Sequence, residues 1–129
     1  MAFYKKKKKA PVMAKGGKPR KIRGVMNATE KWYQDTVLEP QLKTGKILAY
    51  SYESHTLRLA DKTTYTPDFT VLNEHGFIEH HEVKGSWKAP NANAGRVKLK
   101  VAAEMYPYYL FKVIVIQSKT IKSEEYFND

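Results

Sequence analysis

Two short runs carry side chains that could do chemistry together: Thr66-Pro67-Asp68-Phe69 and, with Glu82 fourteen residues after Asp68, Glu82-Val83-Lys84-Gly85. Each reads as part of a strand. Strand side chains alternate faces, so Glu82 and Lys84 point one way while Val83 points the other, alongside Phe77 and His81. On the earlier strand Thr66, Asp68 and Thr70 share a face, which leaves Phe69 and Val71 for the core. When the two strands pair, Asp68, Glu82 and Lys84 converge on one polar spot. Two carboxylates beside an ammonium suit a hard divalent cation and an anionic substrate, with oxygen donors for the metal and a positive group to hold or activate an attacking water. The chemistry would be metal-assisted phosphodiester hydrolysis. Either run alone is a common accident, and the bland alternative for Glu82 and Lys84 is a solvated strand face with a surface ion pair. The specificity lies in the pairing of the two runs.

The histidines suggest a different centre, because His75, His80 and His81 sit near Glu79 and Glu82. Strand geometry argues against zinc there: His80 and His81 are adjacent and face opposite sides, so they cannot readily close on one ion. Only His80 shares the face of Glu82. It either touches a scissile phosphate or makes a local hydrogen bond within the sheet.

The elements that must position these residues follow from periodicity and punctuation. Residues 27–44 predict a helix, with Trp32, Tyr33, Thr36 and Val37 at helical spacing and Asn27 followed by Glu30 as a capping pair. Pro40 either kinks this helix or starts a second, and Thr44-Gly45 stops it. Residues 47–53, 55–59, 65–71 and 77–83 predict short strands, most of them antiparallel neighbours. Residues 86–95 predict a loop, and 96–106 a helix with Val97, Val101 and Met105 on one stripe, ending before Pro107. Residues 111–116 (FKVIVI) predict a central strand buried on both faces. The class is therefore α/β in the broad α+β sense, a central mixed sheet flanked by helices. The aromatic run Tyr106-Pro107-Tyr108-Tyr109-Leu110-Phe111 predicts core filling or a dimer face.

At 129 residues with 42% apolar side chains the chain suits one domain with a single core. The absence of cysteine excludes disulfides, thiolate metal sites and a cysteine nucleophile. No apolar run approaches the ~20 residues that span a bilayer, and the lysine-rich start lacks the apolar stretch of a secretory signal, so an intracellular protein without membrane attachment is expected. The net charge of +10 is unevenly spread. Residues 1–24 hold ten basic side chains, among them Lys5, Lys6, Lys7, Lys8, Lys9, Arg20, Lys21 and Arg23, and no acid, whereas the remainder carries thirteen of each sign. The expectation is a flexible basic arm over residues 1–24 and a folded domain over 25–129. Such an arm suits a polyanion, because each phosphate it neutralises releases counterions; the alternative is a solubilising tail. Lys88, Arg96, Lys98 and Lys100 are candidate phosphate contacts flanking the site, or an ordinary solvated surface. Trp87 either stacks on an unpaired base or lids the core.

Asp68 after Pro67, then Glu82 and Lys84, resembles the signature of the PD-(D/E)xK nuclease superfamily, and the αβββαβ order resembles that superfamily's restriction-endonuclease-like core. The finer resemblance is to small phage-encoded, resolvase-like endonucleases, carried by Glu30 near the start of a helix, Tyr65-Thr66-Pro67-Asp68-Phe69, Glu82-Val83-Lys84-Gly85, the basic stretch Arg96-Val97-Lys98-Leu99-Lys100, and Tyr106-Pro107. It spans about residues 27–117 and leaves the arm uncovered. The resemblance implies that Asp68 and Glu82 ligate magnesium or manganese with the carbonyl of Val83, that Lys84 orients or deprotonates the nucleophilic water, and that Glu30 completes the site. Glu30 has a second reading, as a cap of its own helix. Implied further are DNA, branched substrates included, as partner, a homodimer cutting two strands together, and a phage protein acting in the cytoplasm of a bacterial host. The rival from another class is a non-catalytic nucleic-acid-binding protein that uses this fold in packaging or recombination.

Overall fold

The computed structural model describes residues 22–85 and 92–128. Lys5–Lys9, Arg20, Lys21, Trp87 and Lys88 lie outside the described residues, as does the arm as a whole up to residue 21. Asn27 opens the first helix by accepting the Glu30 amide at 2.8 Å and giving its own N–H to Glu30 Oε1 at 3.0 Å, which satisfies two donors that a helix start leaves open. The helix is one rod in pieces: α1 (Ala28–Tyr33), a π-helical turn (Gln34–Leu38) and α2 (Glu39–Thr44). The π turn adds a residue to the repeat, so Leu38 is buried on the side of Tyr33, whereas Thr36 is exposed and Val37 only half-buried. Pro40 sits in the first turn of α2. Gly45, in the left-handed conformation at φ 79°, ends α2.

Five strands form one mixed sheet in the order β1 (Ile47–Tyr52), β4 (Phe69–Asn73), β5 (Ile78–Lys84), β6 (Leu110–Gln117), β7 (Thr120–Tyr126). Neighbours are antiparallel except β5 and β6, which run parallel because α3 (Ala92–Met105) carries the chain across between them. The expected strand over 65–71 is broken. A separate hairpin of β2 (Leu57–Ala60) and β3 (Thr63–Tyr65) ends at Tyr65, Thr66–Asp68 turn, and β4 starts at Phe69. Pro67 has no N–H to give a ladder, which suits it to this break. Strand β5 begins at Ile78, so Phe77 lies outside it and is 59% exposed instead of facing inward.

The sheet is covered on both faces, and β6 has alternate residues in each core. Phe111, Val113 and Val115 join Leu57, Leu59 and Tyr65 of the hairpin and Leu99, Ala102 and Ala103 of α3. Ile114 and Ile116 join Tyr33, Leu38, Phe69, Val71 and Val83 on the α1–α2 side. The α3 expectation needs correction twice: the helix starts at Ala92, and Val97 and Met105 are 60% and 48% exposed while Leu99, Ala102 and Ala103 form the buried stripe. Two stripes of helical period compete on this element, and the one with small alanines allows closer approach to the hairpin. Of the aromatic run, Phe111 is in the core, Tyr106 and Tyr109 pack against it, and Tyr108 is exposed. Among the described residues no helix is long and apolar enough to cross a membrane.

Candidate active site

Strand register brings the two runs together. Phe69 pairs with His81 across β4 and β5, and the same register continued by one step sets Asp68 opposite Glu82. Asp68 is 7% exposed, and its Oδ2 accepts the Val83 N–H at 2.8 Å, which ties the turn before β4 to the end of β5. Glu82 takes two donors: the Tyr65 hydroxyl at 2.8 Å on Oε1 and Lys84 Nζ at 2.9 Å on Oε2. Asp68 thus lies beside the Glu82–Lys84 pair at the end of β5, but it is placed there by its bond to Val83 from the break before β4 and not, as expected, by alternation within a strand.

Glu30 belongs to the same cluster and caps its helix as well. It is 2% exposed; its Oε1 takes the Asn27 N–H and, at 2.9 Å, the Tyr52 hydroxyl, while its carboxyl group also hydrogen-bonds Asp68. The two readings of this residue are therefore compatible. Burial, first, and the charge of Glu82, second, push the Asp68 carboxyl up to about 8, partly offset by the Val83 N–H, with Glu30 adding to the rise. Three carboxyl groups share this spot with one ammonium. Gly95 in the first turn of α3 lies next to Lys84: a β-carbon there would be in ordinary contact, 3.4 Å from Nζ.

The two tyrosines are the part of the site that residue patterns do not reveal. Tyr65 sits in the quoted run but, by alternation, belongs with the core; only the break at Thr66–Asp68 lets it bury its ring and still reach Glu82 with its hydroxyl. Tyr52 is placed by its pairing with Phe69. No signal in the sequence marks either as a partner of a carboxylate.

The basic residues of α3 are differently engaged. Arg96 lies over the Phe127 ring at 5.7 Å, Lys98 Nζ donates to the Thr64 carbonyl at 3.1 Å, and Lys100 is exposed. Arg23 is exposed just ahead of α1. The histidines part to opposite faces. His80 is fully buried, its Nδ1 2.9 Å from Thr70 Oγ1, so it makes the local bond and is not open to a phosphate; burial pushes it down to about 4 and keeps it neutral. His81 lies on the α1 side between the Tyr33 hydroxyl and Glu79, each at 2.8 Å. A cleft of about 380 Å³ opens beside Glu79 and His81 and includes none of Asp68, Glu82 or Lys84.

No family model matches the chain, and the comparisons with curated proteins and with solved structures give no match. What the site can do has to be argued from its own groups. Among the described residues no three His, Asp or Glu side chains are disposed to hold a metal ion by themselves. The donor set that suits a hard dication is smaller: the carboxylates of Asp68 and Glu82. The crowding that keeps a proton on Asp68 is the kind of charge imbalance that such a cation relieves.

Proposed function

We propose that the chain is a divalent-metal-dependent DNA endonuclease of the restriction-endonuclease-like, PD-(D/E)xK type, acting as a resolvase or structure-selective nuclease. One observation carries the reading: Asp68, fourteen residues before Glu82, takes the Val83 N–H at 2.8 Å and so lies beside the Glu82–Lys84 ion pair, itself closed at 2.9 Å. The succession of a helical rod, β1, β4, β5, α3 and β6, with the separate hairpin inserted, agrees with the expected αβββαβ order.

Asp68 and Glu82 would hold magnesium or manganese, with the Val83 carbonyl as a further oxygen. Bound there, the ion supplies Lewis acidity at the scissile phosphate and lowers the pKa of an attacking water. The chain's own groups do the rest. Tyr65 fixes Glu82 by its hydroxyl, Glu30 fixes Asp68 from α1, and Lys84, half-buried beside Glu82, would orient the attacking water by donating a hydrogen bond to its oxygen and stabilise charge developing on the phosphate. The DNA reading rests on the charge of the chain and on the resemblance of its motifs.

Supercoiled plasmid and four-way junction DNA incubated with the full chain in magnesium, manganese or chelator test this reading. Cutting is expected with either metal and not in chelator. Asp68→Ala and Lys84→Ala are each expected to lower the rate by at least about a thousandfold, roughly 4 kcal/mol of barrier, while DNA binding persists. Cutting that survives both substitutions rejects the site, and binding without cutting under all conditions favours a non-catalytic protein.

A further inference from the structure

The β2–β3 hairpin stands apart from the five-strand sheet, yet it is rooted in the site. Its last residue is Tyr65, whose hydroxyl reaches Glu82 at 2.8 Å, and its base is closed by Thr56 Oγ1 against Thr66 Oγ1 at 2.9 Å, two residues before Asp68. One face is clamped. Leu57, Leu59 and Tyr65 pack on Leu99, Ala102 and Ala103 of α3, the Tyr106 hydroxyl donates to the Arg58 carbonyl at 2.6 Å, and Lys98 donates to the Thr64 carbonyl at 3.1 Å. The other face is open and carries no large apolar group: Arg58 lies directly across from Thr64, Ala60 follows, and Asp61 and Lys62 form the tip, all of them exposed.

Charge in the folded part is segregated toward this element. Residues 57–65 and 92–105 hold five basic and two acidic side chains, whereas the rest of the described residues hold eight basic and ten acidic. The positive excess of the folded part therefore lies on the hairpin and the helix beneath it. Lys62 is also placed at a local cost: it takes a left-handed conformation at φ 54°, which glycine adopts more readily, so the position carries a lysine where the backbone alone favours none.

From this we propose that the β2–β3 hairpin is a duplex-DNA contact, in which Arg58 and Lys62, supported by Lys98, grip backbone phosphates beside the cleavage point. The inference rests on the nuclease reading of the adjoining cluster and adds to it where the substrate runs. Lys62 and Tyr65 are three residue steps apart, about 10 Å at the usual rise, so the grip falls about three base-pair steps from the scissile bond. A rigid hairpin anchored through Tyr65 on a metal-binding carboxylate ties the position of the backbone to the position of the chemistry.

The test uses the full chain, with its arm, in the doubly substituted form R58S/K62G, and reads binding to a fluorescein-labelled linear DNA duplex across a salt series. The glycine suits φ 54°, and the Arg58 backbone bond to Tyr106 is untouched, so the melting temperature is expected to stay level or rise, which separates lost contact from lost fold. Affinity at low salt is expected to fall roughly tenfold, and the slope of log affinity against log salt to become shallower by about two, the count of phosphates released. In a parallel measurement on four-way junction DNA an iron chelate tethered to K62C, the sole thiol in a chain without cysteine, is expected to cut at one narrow position beside the enzyme's own cleavage point. Unchanged affinity and slope, or an effect on RNA alone, overturns the hairpin contact while leaving metal-dependent cutting by the wild-type chain standing. No cutting by the wild-type chain in any metal, with the affinity and slope effects intact, overturns the nuclease reading and leaves the hairpin as a DNA contact.

Discussion

Asp68 decides the electrostatics of the cluster. Its carboxyl, pushed up to about 8 by burial and by Glu82, holds a proton in the folded metal-free chain at pH values where the unfolded chain has released it. Between about pH 4 and 8 the folded state therefore binds more protons at this group than the unfolded state, and stability falls as pH rises through that window. His80 acts in the opposite sense. Held down to about 4, it stays neutral in the fold while its unfolded counterpart is protonated below about 6.5, so its contribution to stability grows as pH rises from 4 to 6.5. Glu79, held down to about 2 by the His81 and Asn73 hydrogen bonds against the cost of its burial, adds stability above its ordinary range that is lost only as pH falls toward 2. Asp68→Asn isolates one of these slopes. Denaturant titrations in chelator are expected to find the variant more stable than the parent at pH 8, on the order of 2 kcal/mol, and close to it at pH 4. A constant difference across that range would show that Asp68 is not the group that titrates.

Elements decide whether these residues meet at all. The end of β5 is fixed by β4 on one side and the parallel β6 on the other, and the turn over Thr66–Asp68 frees Tyr65 to serve Glu82 while Asp68 reaches Val83. Two of the departures from expectation have simple causes. Strand β7 carries Lys122, Glu124 and Glu125 and buries little beyond Ile121, so it offers no alternating apolar signal; charge on an edge strand discourages pairing with other chains. Its hairpin turn, Ser118-Lys119, has φ of 51° and 54° and lacks the Asn-Gly pair that would announce it. Replacing Ser118-Lys119 by Asn-Gly is expected to raise stability by on the order of 1 kcal/mol and to lift the melting temperature by several degrees. A fall in melting temperature would mean that these two side chains contribute more than their backbone conformation costs.

At the scale of the molecule, the sequence makes the α+β class legible, along with the shared face of Glu82 and Lys84 and the two-sided burial of β6, because these follow from strand alternation or from an uninterrupted apolar run; the place of Asp68 does not, since it lies in the break before β4. The inserted hairpin, the π turn and the hydroxyls of Tyr52 and Tyr65 are not legible, because each depends on contacts between segments distant in sequence that local pattern does not encode. The result is a layered molecule with α1–α2 on one face of the sheet and α3 with the hairpin on the other, and the carboxylate cluster at the end of β5 receives Glu30 from the first layer and Tyr65 from the second. The claim that unites these layers is that the cluster holds a divalent ion. Anomalous diffraction from crystals of the full chain soaked in manganese tests it most directly. A peak is predicted within roughly 2.2 Å of carboxylate oxygens of both Asp68 and Glu82. Manganese that binds only elsewhere, or no peak between those two carboxylates, would contradict it.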